Sequence, residues 1–269
     1  ENEISVILPL YSKISGEYRK NFRFIGSFEV PLSWRRQYCG VFHYLYRNVN
    51  FYFIDNEYYF KRDGNIYGFY DDGERYAFFS KAILETIGHF MLWPDVLHCN
   101  DWQTAAAVIY LKSIYGNYER YKDIRTVFTI HNIEYQGKYG LDCMDDLFGF
   151  PGWVKDTVEF DGCINLMKGA IEMSDIVNTV SPTYAEEIKN AYFAHGLEGI
   201  ISRNEGKLRG ILNGIDYEYY NPQTDRYLFA NYSPDHMEGK AVCKEALQKM
   251  LNLPVKDVPM IAVISRLVA

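Results

Sequence analysis

The stretch Arg125–Gly140, RTVFTIHNIEYQGKYG, decides the fold. It opens with a short apolar run that contains Val127, Phe128 and Ile130 and that stops abruptly at His131-Asn132. In an open α/β sheet, ligands bind in the crevice beyond the carboxyl ends of parallel strands, where side chains leave the core. The stretch is therefore typical of a buried strand that carries site-forming polar residues at its tip.

The same order, an apolar strand followed by a polar tip, recurs elsewhere in the chain. Such strands are predicted at 95–98, 176–180, 208–212 and 260–264. The tips that follow them contain His98–Asp101, Ser181-Pro182, Asn213-Gly214 and Ser265-Arg266. Helices predicted at 104–113 and 164–173 alternate with the strands, which indicates an α/β fold with a doubly wound, mostly parallel sheet. We therefore expect the polar tips to meet at one edge of that sheet.

The remaining segments complete the predicted chain order. Strands are predicted at 4–8 and 50–54, an alternating region at 22–46 with turns near Ser33-Trp34 and Gly40, and helices from Glu74 to before Pro94, at 144–148 and at 238–251. The segment 223–238 is polar and is predicted to lie on the surface. Pro254–Pro259 is the predicted hinge, so that residues 1–255 form one domain and residues 256–269 hold the hinge and the first strand of a second domain.

The two ends of the sequence indicate a fragment of a longer protein. The chain begins at Glu1 rather than at Met, and it stops one turn beyond the strand predicted at 260–264. No helix follows to complete a βα unit.

Composition excludes several classes of function. The net charge of the 269 residues is −7, from 28 basic and 35 acidic side chains, which argues against a general nucleic-acid binder. No apolar run approaches the roughly 18 residues of a membrane span. The five cysteines are odd in number and lack C-x-x-C spacing, which is typical of a reducing, cytoplasmic protein without disulfides or structural zinc. Nucleophilic triads, H-E-x-x-H, the phosphate-binding P-loop and G-x-G-x-x-G are absent.

Two of the polar tips have a structural and a functional interpretation. Asp101 can cap the following helix with one oxygen, and its other oxygen can accept from a sugar hydroxyl. His131 can be an ordinary structural histidine or a ligand-binding one. Asn132 adjoins it and Tyr135-Gln136 follow, and neutral imidazole and amide groups both donate and accept, which suits vicinal hydroxyls. These side chains favour a carbohydrate as the ligand.

Two further positions remain open on residues alone. Asn213-Gly214 is a turn by default, because this pair tolerates positive φ, although it also follows a predicted strand. Tyr67 is one of 24 tyrosines and on its own is a surface aromatic.

Taken together, the motifs resemble the bacterial glycogen synthase and plant starch synthase family. The resemblance is carried by Val6–Tyr11, Tyr58–Phe60, Asn65–Gly68, Leu97–Trp102, Thr129–Gly137, Asn178–Ile188, Gly210–Asp216 and Ile264–Leu267. It implies an ADP-glucose-dependent retaining glucosyltransferase of the GT-B fold, in which two Rossmann-like domains face each other across a deep cleft. This chain would be the N-terminal, acceptor-side half.

The resemblance also implies roles for individual residues. The predicted catalytic residues are Asp101, His131 and Arg266, and the predicted substrate-binding residues are Tyr67, Asn132, Tyr135, Gln136 and Asn213. Among these, Arg266 would face the donor diphosphate, where a guanidinium offsets charge on the departing ADP. No metal or cofactor is expected; ADP-glucose is the donor and an α-1,4-glucan primer the acceptor. The location would be the cytoplasm, or a plastid if the source is a plant.

The chain also departs from the family pattern. Gln103 stands where many relatives have His. The first strand with its Lys-x-Gly-Gly-Leu loop is absent, as are the lysine after Arg266 and the acidic residue of the second domain. We therefore expect these residues alone to be inactive or nearly so. The alternatives are a GT-B enzyme that uses UDP-glucose, and a non-catalytic glucan-binding module whose 24 Tyr and 17 Phe stack on sugars.

Overall fold

The structure, a computed structural model, describes residues 2–265 and consists of two compact units that divide between Leu212 and Asn213. The strands of the first unit are β1 (Ile4–Pro9), β2 (Arg23–Leu32), β3 (Arg35–Tyr46), β4 (Val49–Asp55), β5 (Val96–Asn100), β6 (Arg125–Ile130), β7 (Lys138–Gly140), β8 (Glu159–Phe160), β9 (Cys163–Asn165), β10 (Ile176–Thr179) and β11 (Leu208–Gly210). Its α-helices are α1 (Gly16–Arg19), α2 (Glu57–Phe60), α3 (Asp72–His89), α4 (Trp102–Ser113), α5 (Cys143–Asp146), α6 (Lys155–Val158), α7 (Leu166–Met173), α8 (Pro182–Glu187), α9 (Ala191–Ala194) and α10 (Glu198–Arg203). The helix of the second unit is α11 (Glu238–Met250).

A four-stranded parallel sheet forms the centre of the first unit. Its strand order is β11-β10-β6-β5, and every neighbouring pair is parallel. The strands predicted at 95–98, 125–130, 176–180 and 208–212 are those four, so the predicted α/β class with a parallel sheet is confirmed. Because all four strands point the same way, their carboxyl ends share one edge.

Helix α4 follows β5 directly and is buried on all sides. Every residue of the run from Ala105 to Leu111 is buried, as expected for a helix that is apolar all round. It packs against α3, α7 and the sheet strand β5. The contact with α7 is close, because a side-chain carbon added at Gly169 would lie 2.7 Å from Ile109 Cδ1. This packing fixes the start of α4, immediately after Asp101.

A second sheet has the order β1-β4-β3-β2 and is mixed. β1 and β4 are parallel, whereas β3 runs antiparallel to both of its neighbours. The turn predicted near Ser33-Trp34 joins β2 to β3 and is confirmed. The turn predicted near Gly40 is wrong, because β3 continues through it. A side-chain carbon at Gly40 would lie 2.6 Å from the Tyr38 hydroxyl oxygen, so this glycine serves a close approach and not a turn.

Two predicted helices are shorter than expected. The helix predicted at 164–173 begins at Leu166, because Cys163–Asn165 pairs as β9 in a small antiparallel sheet with β7 and β8. Asn165 then caps the helix, and its side-chain oxygen accepts from the Lys168 amide at 2.9 Å. The helix predicted at 144–148 is reduced to Cys143–Asp146.

The second unit contains α11, which confirms the helix predicted at 238–251. The described residues of the segment predicted as a strand at 260–264 have no regular structure, and Ile261, Val263 and Ile264 are at least 87% exposed. Its place as the first strand of a second domain stays a prediction. A strand needs a neighbour for its backbone groups, and none of the strands among residues 2–265 pairs with this segment. The predicted hinge lies inside the second unit, where Lys256 O accepts from Gln248 Nε2 at 3.4 Å. A domain boundary at 255/256 stays a prediction.

No helix within residues 2–265 is long and apolar enough to cross a membrane.

At the amino edge of the parallel sheet, the carboxylate of Asp175, which precedes β10, binds groups of β6 and α4. Its Oδ2 accepts from the Thr126 amide at 2.7 Å, from the Thr126 hydroxyl at 2.9 Å and from Lys112 Nζ at 2.7 Å. Burial by itself favours the neutral acid, but the hydrogen bonds from Lys112 and Thr126 outweigh it and lower the pKa of Asp175 to about 2.

We expect Asp175→Asn to lower the free energy of unfolding at pH 7 by about 1–2 kcal/mol, since the side chain is partly exposed and screened. The pKa of Asp175 is lower in the folded than in the unfolded chain, where it is near 3.9. The carboxylate therefore stabilises fully above about pH 5, and this contribution disappears as the pH falls toward 2. Urea unfolding at pH 7, 5 and 3 should show the difference between the variant and the wild type shrinking. Asp123→Asn, at an exposed carboxylate, is the control and should show no such trend.

Candidate active site

Asp101 and His131 lie side by side at the carboxyl edge of the parallel sheet. Asp101 follows β5 and His131 follows β6, and these strands are neighbours. The Asp101 Oδ1 atom accepts from the His131 amide at 2.8 Å, and the Asp101 amide donates to Thr129 O at 2.9 Å. The structure thus brings together two of the three residues that the sequence predicts as catalytic.

The backbone of Asp101 is in a strained conformation, with φ 54° and ψ −177°. Few residues other than glycine adopt this region, which costs on the order of 1–3 kcal/mol and persists only where the surroundings enforce it. The Asp101 carbonyl accepts from the Thr104 amide at 3.2 Å, and the Thr104 hydroxyl bonds the Asn100 amide at 2.6 Å and carbonyl at 2.8 Å. The capping alternative is not observed, because the Asp101 side chain makes no hydrogen bond to α4.

The exposed ring of His131 is oriented by Asn100, a residue that sequence reasoning did not single out. His131 Nε2 lies 3.0 Å from Asn100 Oδ1. Since an amide oxygen only accepts, Nε2 carries the proton, which leaves Nδ1 as an acceptor in the neutral ring. Beyond it, Asn132 Oδ1 accepts from the Glu134 amide at 3.0 Å and turns the chain, and Tyr135 is 59% exposed. This loop presents donors, acceptors and an aromatic face to solvent.

The carboxyl edge of the parallel sheet, with Asp101 and His131, is called the rim below. Three polar side chains that are bonded in a row lie just beneath it, inside the sheet. His98 Nε2 is 2.5 Å from the Thr129 hydroxyl, which donates to Asn178 Oδ1 at 2.6 Å. The hydroxyl has one hydrogen, so His98 is the donor to Thr129. Burial, together with any charge on His131, lowers the pKa of His98, which keeps its ring neutral. Thr129 and Asn178 are polar residues in buried strands and lie directly opposite each other, which is the sequence signal that could have found them.

Gln136 differs from the other predicted substrate-binding residues in being buried. Its Nε2 donates to Ile133 O at 3.1 Å and to His195 O at 3.0 Å. Its Oε1 accepts from Asn165 Nδ2 at 2.8 Å. These contacts brace the loop against two distant segments, and a direct role in substrate binding stays a prediction.

Tyr67 lies in the loop between α2 and α3 and is 55% exposed. The preceding carbonyl, Ile66 O, accepts from the Tyr76 hydroxyl at 3.2 Å. The Tyr76 ring meets the Trp102 ring edge-on, with centroids 5.2 Å apart. Because Trp102 directly follows Asp101, Tyr76 connects this loop to the neighbour of Asp101.

The remaining two predicted positions stay predictions. Asn213 is exposed in the second unit, and neither it nor Gly214 has the positive φ on which the turn interpretation depends. Arg266 lies outside the described residues. Within residues 2–265, no group of three or more His, Cys, Asp or Glu side chains could hold a metal ion. The metal-free site stays a prediction.

Gly137 permits the closest approach between the two rim loops. Its φ is 66°, and a side-chain carbon there would lie 2.9 Å from Trp102 Cε3 and 3.0 Å from Trp102 Cβ. The loop after β6 therefore rests directly on the residue after Asp101.

We expect Gly137→Ala to lower the free energy of unfolding by about 2–4 kcal/mol, from backbone strain plus displacement of Trp102. Gly162→Ala is a matched control, because Gly162 also has positive φ (75°) but nothing lies within 4 Å of the added carbon. Chemical unfolding of both variants should show the larger loss at Gly137. Equal losses would mean that the contact with Trp102 contributes nothing.

Comparison with known proteins identifies the family. The profile of the starch synthase catalytic domain matches residues 1–203. The chain belongs to this family. Glycogen synthase from Ligilactobacillus salivarius is 49% identical over 272 residues, which cover all of this chain and 57% of the relative. Glycogen synthase from Alkaliphilus metalliredigens is 46% identical over 269 residues, which cover 99% of this chain and 56% of the relative.

A solved structure agrees with this chain in fold. The catalytic domain of starch synthase IV from Arabidopsis thaliana, bound to ADP and acarbose, superposes with a TM-score of 0.81 at 31% identity. The match covers 95% of this chain and 53% of the plant protein. The predicted family and GT-B fold class are thereby confirmed. The chain spans about half the length of the relatives that it matches.

Proposed function

We propose that this chain forms the acceptor-side half of a retaining glucosyltransferase. The complete enzyme would transfer glucose from ADP-glucose to the 4-hydroxyl at the non-reducing end of an α-1,4-glucan. Two comparisons support this proposal: the curated relatives are named glycogen synthase, and the plant structure is bound to ADP and acarbose.

The observation that carries the proposal is the pairing of Asp101 with His131. One oxygen of the carboxylate is bonded to the His131 amide at 2.8 Å, and the second can accept from a sugar hydroxyl. The acceptor Nδ1 of the His131 ring lies on the same rim. The strained backbone of Asp101 fixes the position of its carboxylate before the ligand arrives. The carboxylate then needs no rearrangement on binding, which favours both affinity and catalysis.

The leaving group sets the requirement for the other side of the cleft. Negative charge develops on ADP as the glucosyl bond breaks, and a guanidinium can offset it without a metal ion. Arg266 is the residue that we assign to this task, and Asn213 and Tyr67 would contact the glucosyl group and the nucleotide. No cofactor is part of this proposal.

The proposal is tested with the complete polypeptide to which these residues belong. Incubation with glycogen primer and ADP-glucose should release ADP and extend the primer with α-linked glucose, measured by a coupled ADP assay and by proton NMR of the new anomeric signals. UDP-glucose should compete poorly with ADP-glucose. Absence of ADP release would overturn the proposed activity, and preferential use of UDP-glucose would overturn the proposed donor.

We expect Asp101→Asn in that enzyme to lower kcat/KM by at least about 100-fold. The amide oxygen of Asn can still accept from the His131 amide, so the rim should keep its shape while the charge is lost. Thermal unfolding should therefore change little, and Asp123→Asn should change neither property. Full activity of Asp101→Asn would show that the reaction does not require the Asp101 carboxylate.

We also expect the isolated 269 residues to release no ADP from ADP-glucose, because activity needs groups held on both walls of the cleft. The same coupled assay, run with the chain in large excess, gives the measurement. Measurable glucosyl transfer from ADP-glucose by the isolated residues would contradict this expectation.

A further inference from the structure

The loop at 61–71, between α2 and α3, is held in place by buried charges although it contains no helix or strand. It exposes Tyr67, at 55%, and Tyr70, at 97%. Gly64 and Gly68 in the same loop have positive φ. A loop of this composition is expected to be mobile unless its backbone groups are fixed.

The cation that fixes it is Arg75, in the first turns of α3 and only 1% exposed. Its Nε donates to Tyr59 O at 2.8 Å, and its Nη2 donates to Ile66 O at 3.1 Å. Its Nη1 donates to the carboxylate of Asp72, which is 6% exposed. The guanidinium fork therefore reaches the end of α2, the loop and the start of α3 at once.

Asp72, the anion of the pair, holds the same loop through its second carboxylate oxygen. Asp72 Oδ2 accepts from the Gly68 amide at 2.6 Å and from the Phe69 amide at 3.1 Å. The carbonyl before Tyr67 is thus bonded to the cation, and the two amides after it are bonded to the anion. Tyr67 lies between backbone groups that are fixed on both sides.

Two further contacts strengthen this arrangement. The Phe69 ring contacts two guanidiniums, with its centroid 4.8 Å from Arg75 Cζ and 5.0 Å from Arg62 Cζ. Arg62 closes the loop at its ends with a two-pronged ion pair to Asp71, at 2.7 and 2.6 Å. The hydrogen bond from Tyr76 to Ile66 O then connects the loop to Trp102 at the rim.

Stability alone is a weak reason for such a pair. Taking two charges out of water is costly, and replacing a buried ion pair by apolar residues is often neutral or stabilising. Here the hydrogen bonds of the pair go to the backbone of an exposed loop and thereby order it. Ordering a loop before the ligand binds removes that entropic cost from the binding step.

We propose that Arg75 and Asp72 are positioning residues that hold residues 66–69 as a rigid arm and orient Tyr67 toward the sugar nucleotide. The part that concerns the sugar nucleotide rests on the proposed function. The ordering of the arm does not, and it can be measured separately.

The first measurement is amide hydrogen exchange of the 269-residue chain, read at Gly68 and Phe69. The double variant Asp72→Ala/Arg75→Met removes both charges together and leaves no unpaired buried ion. We expect exchange at both amides to become at least about tenfold faster. The matched control is Glu172→Ala/Arg203→Met, which removes a more exposed pair, 3.0 Å apart, away from this loop. Unchanged exchange in the folded Asp72/Arg75 variant would overturn the proposal.

A milder variant covers the case in which the double variant does not fold. Arg75→Lys keeps a charge for Asp72 but loses the fork that reaches both Tyr59 O and Ile66 O. We expect exchange at Gly68 and Phe69 to become about threefold faster, with circular dichroism like that of the wild type. Exchange at the wild-type rate in this variant would equally overturn the proposal.

The second measurement is steady-state kinetics of the complete enzyme. Loss of the pair should raise KM for ADP-glucose about tenfold and change kcat by less than about threefold, since only a fraction of molecules would present the arm correctly. In a Tyr67→Ala background the same loss should have no further effect on KM, because the pair acts through Tyr67. Faster exchange with an unchanged KM, or additive effects in the two backgrounds, would overturn the positioning role. A wild-type enzyme without activity would overturn the proposed function and leave the exchange result standing.

Discussion

One hydrogen bond, from the His131 amide to the Asp101 carboxylate at 2.8 Å, joins the ends of two neighbouring strands and sets the shape of the rim. It exists only because the Asp101 backbone adopts φ 54°, a conformation that aspartate rarely takes. Had Asp101 capped α4 instead, its carboxylate would face the helix and not the loop after β6. The strain at this one residue is thus what converts an ordinary strand-to-helix junction into a place where a carboxylate and an imidazole share a surface.

The buried polar groups around the rim have a common purpose. His98, Thr129 and Asn178 satisfy one another beneath it, and Gln136 and Asn165 connect its second loop to distant segments. Each of these side chains forms hydrogen bonds that hold backbone groups or other side chains in place near the rim. A fully satisfied polar network rigidifies its surroundings, whereas a partly satisfied one is costly. These buried polar side chains therefore support the exposed site.

The sequence predicts the parallel sheet well because that sheet depends on local patterns. Apolar runs such as 125–130 and 176–180 are long enough to be recognised, and parallel direction alone places their tips at one edge. The predicted turn at Gly40 failed because glycine serves close approach as well as turns, and sequence does not distinguish these uses. The segment 260–264 has an apolar strand pattern without a strand, because a pattern cannot supply a pairing partner.

The arrangement of the site residues was harder to predict from the sequence than their identity. Asp101 and His131 could be named from their place after strands, but whether Asp101 caps or faces the rim depends on a backbone angle that residue types do not encode. The burial of Gln136 depends on Asn165 and His195, which are 29 and 59 residues away in the chain. Such long-range partners become visible only when the chain is folded.

Asp175 and Asp101 act on opposite ends of the same strand. At the start of β6 the Thr126 amide is held by Asp175, which belongs to the segment entering β10, and at its end the His131 amide is held by Asp101, which belongs to the segment leaving β5. A slide of β6 by a single residue would break both bonds and turn its buried face outward. The middle of this sheet is consequently locked in register against shear. The three strands β5, β6 and β10 are therefore expected to move together as one rigid body.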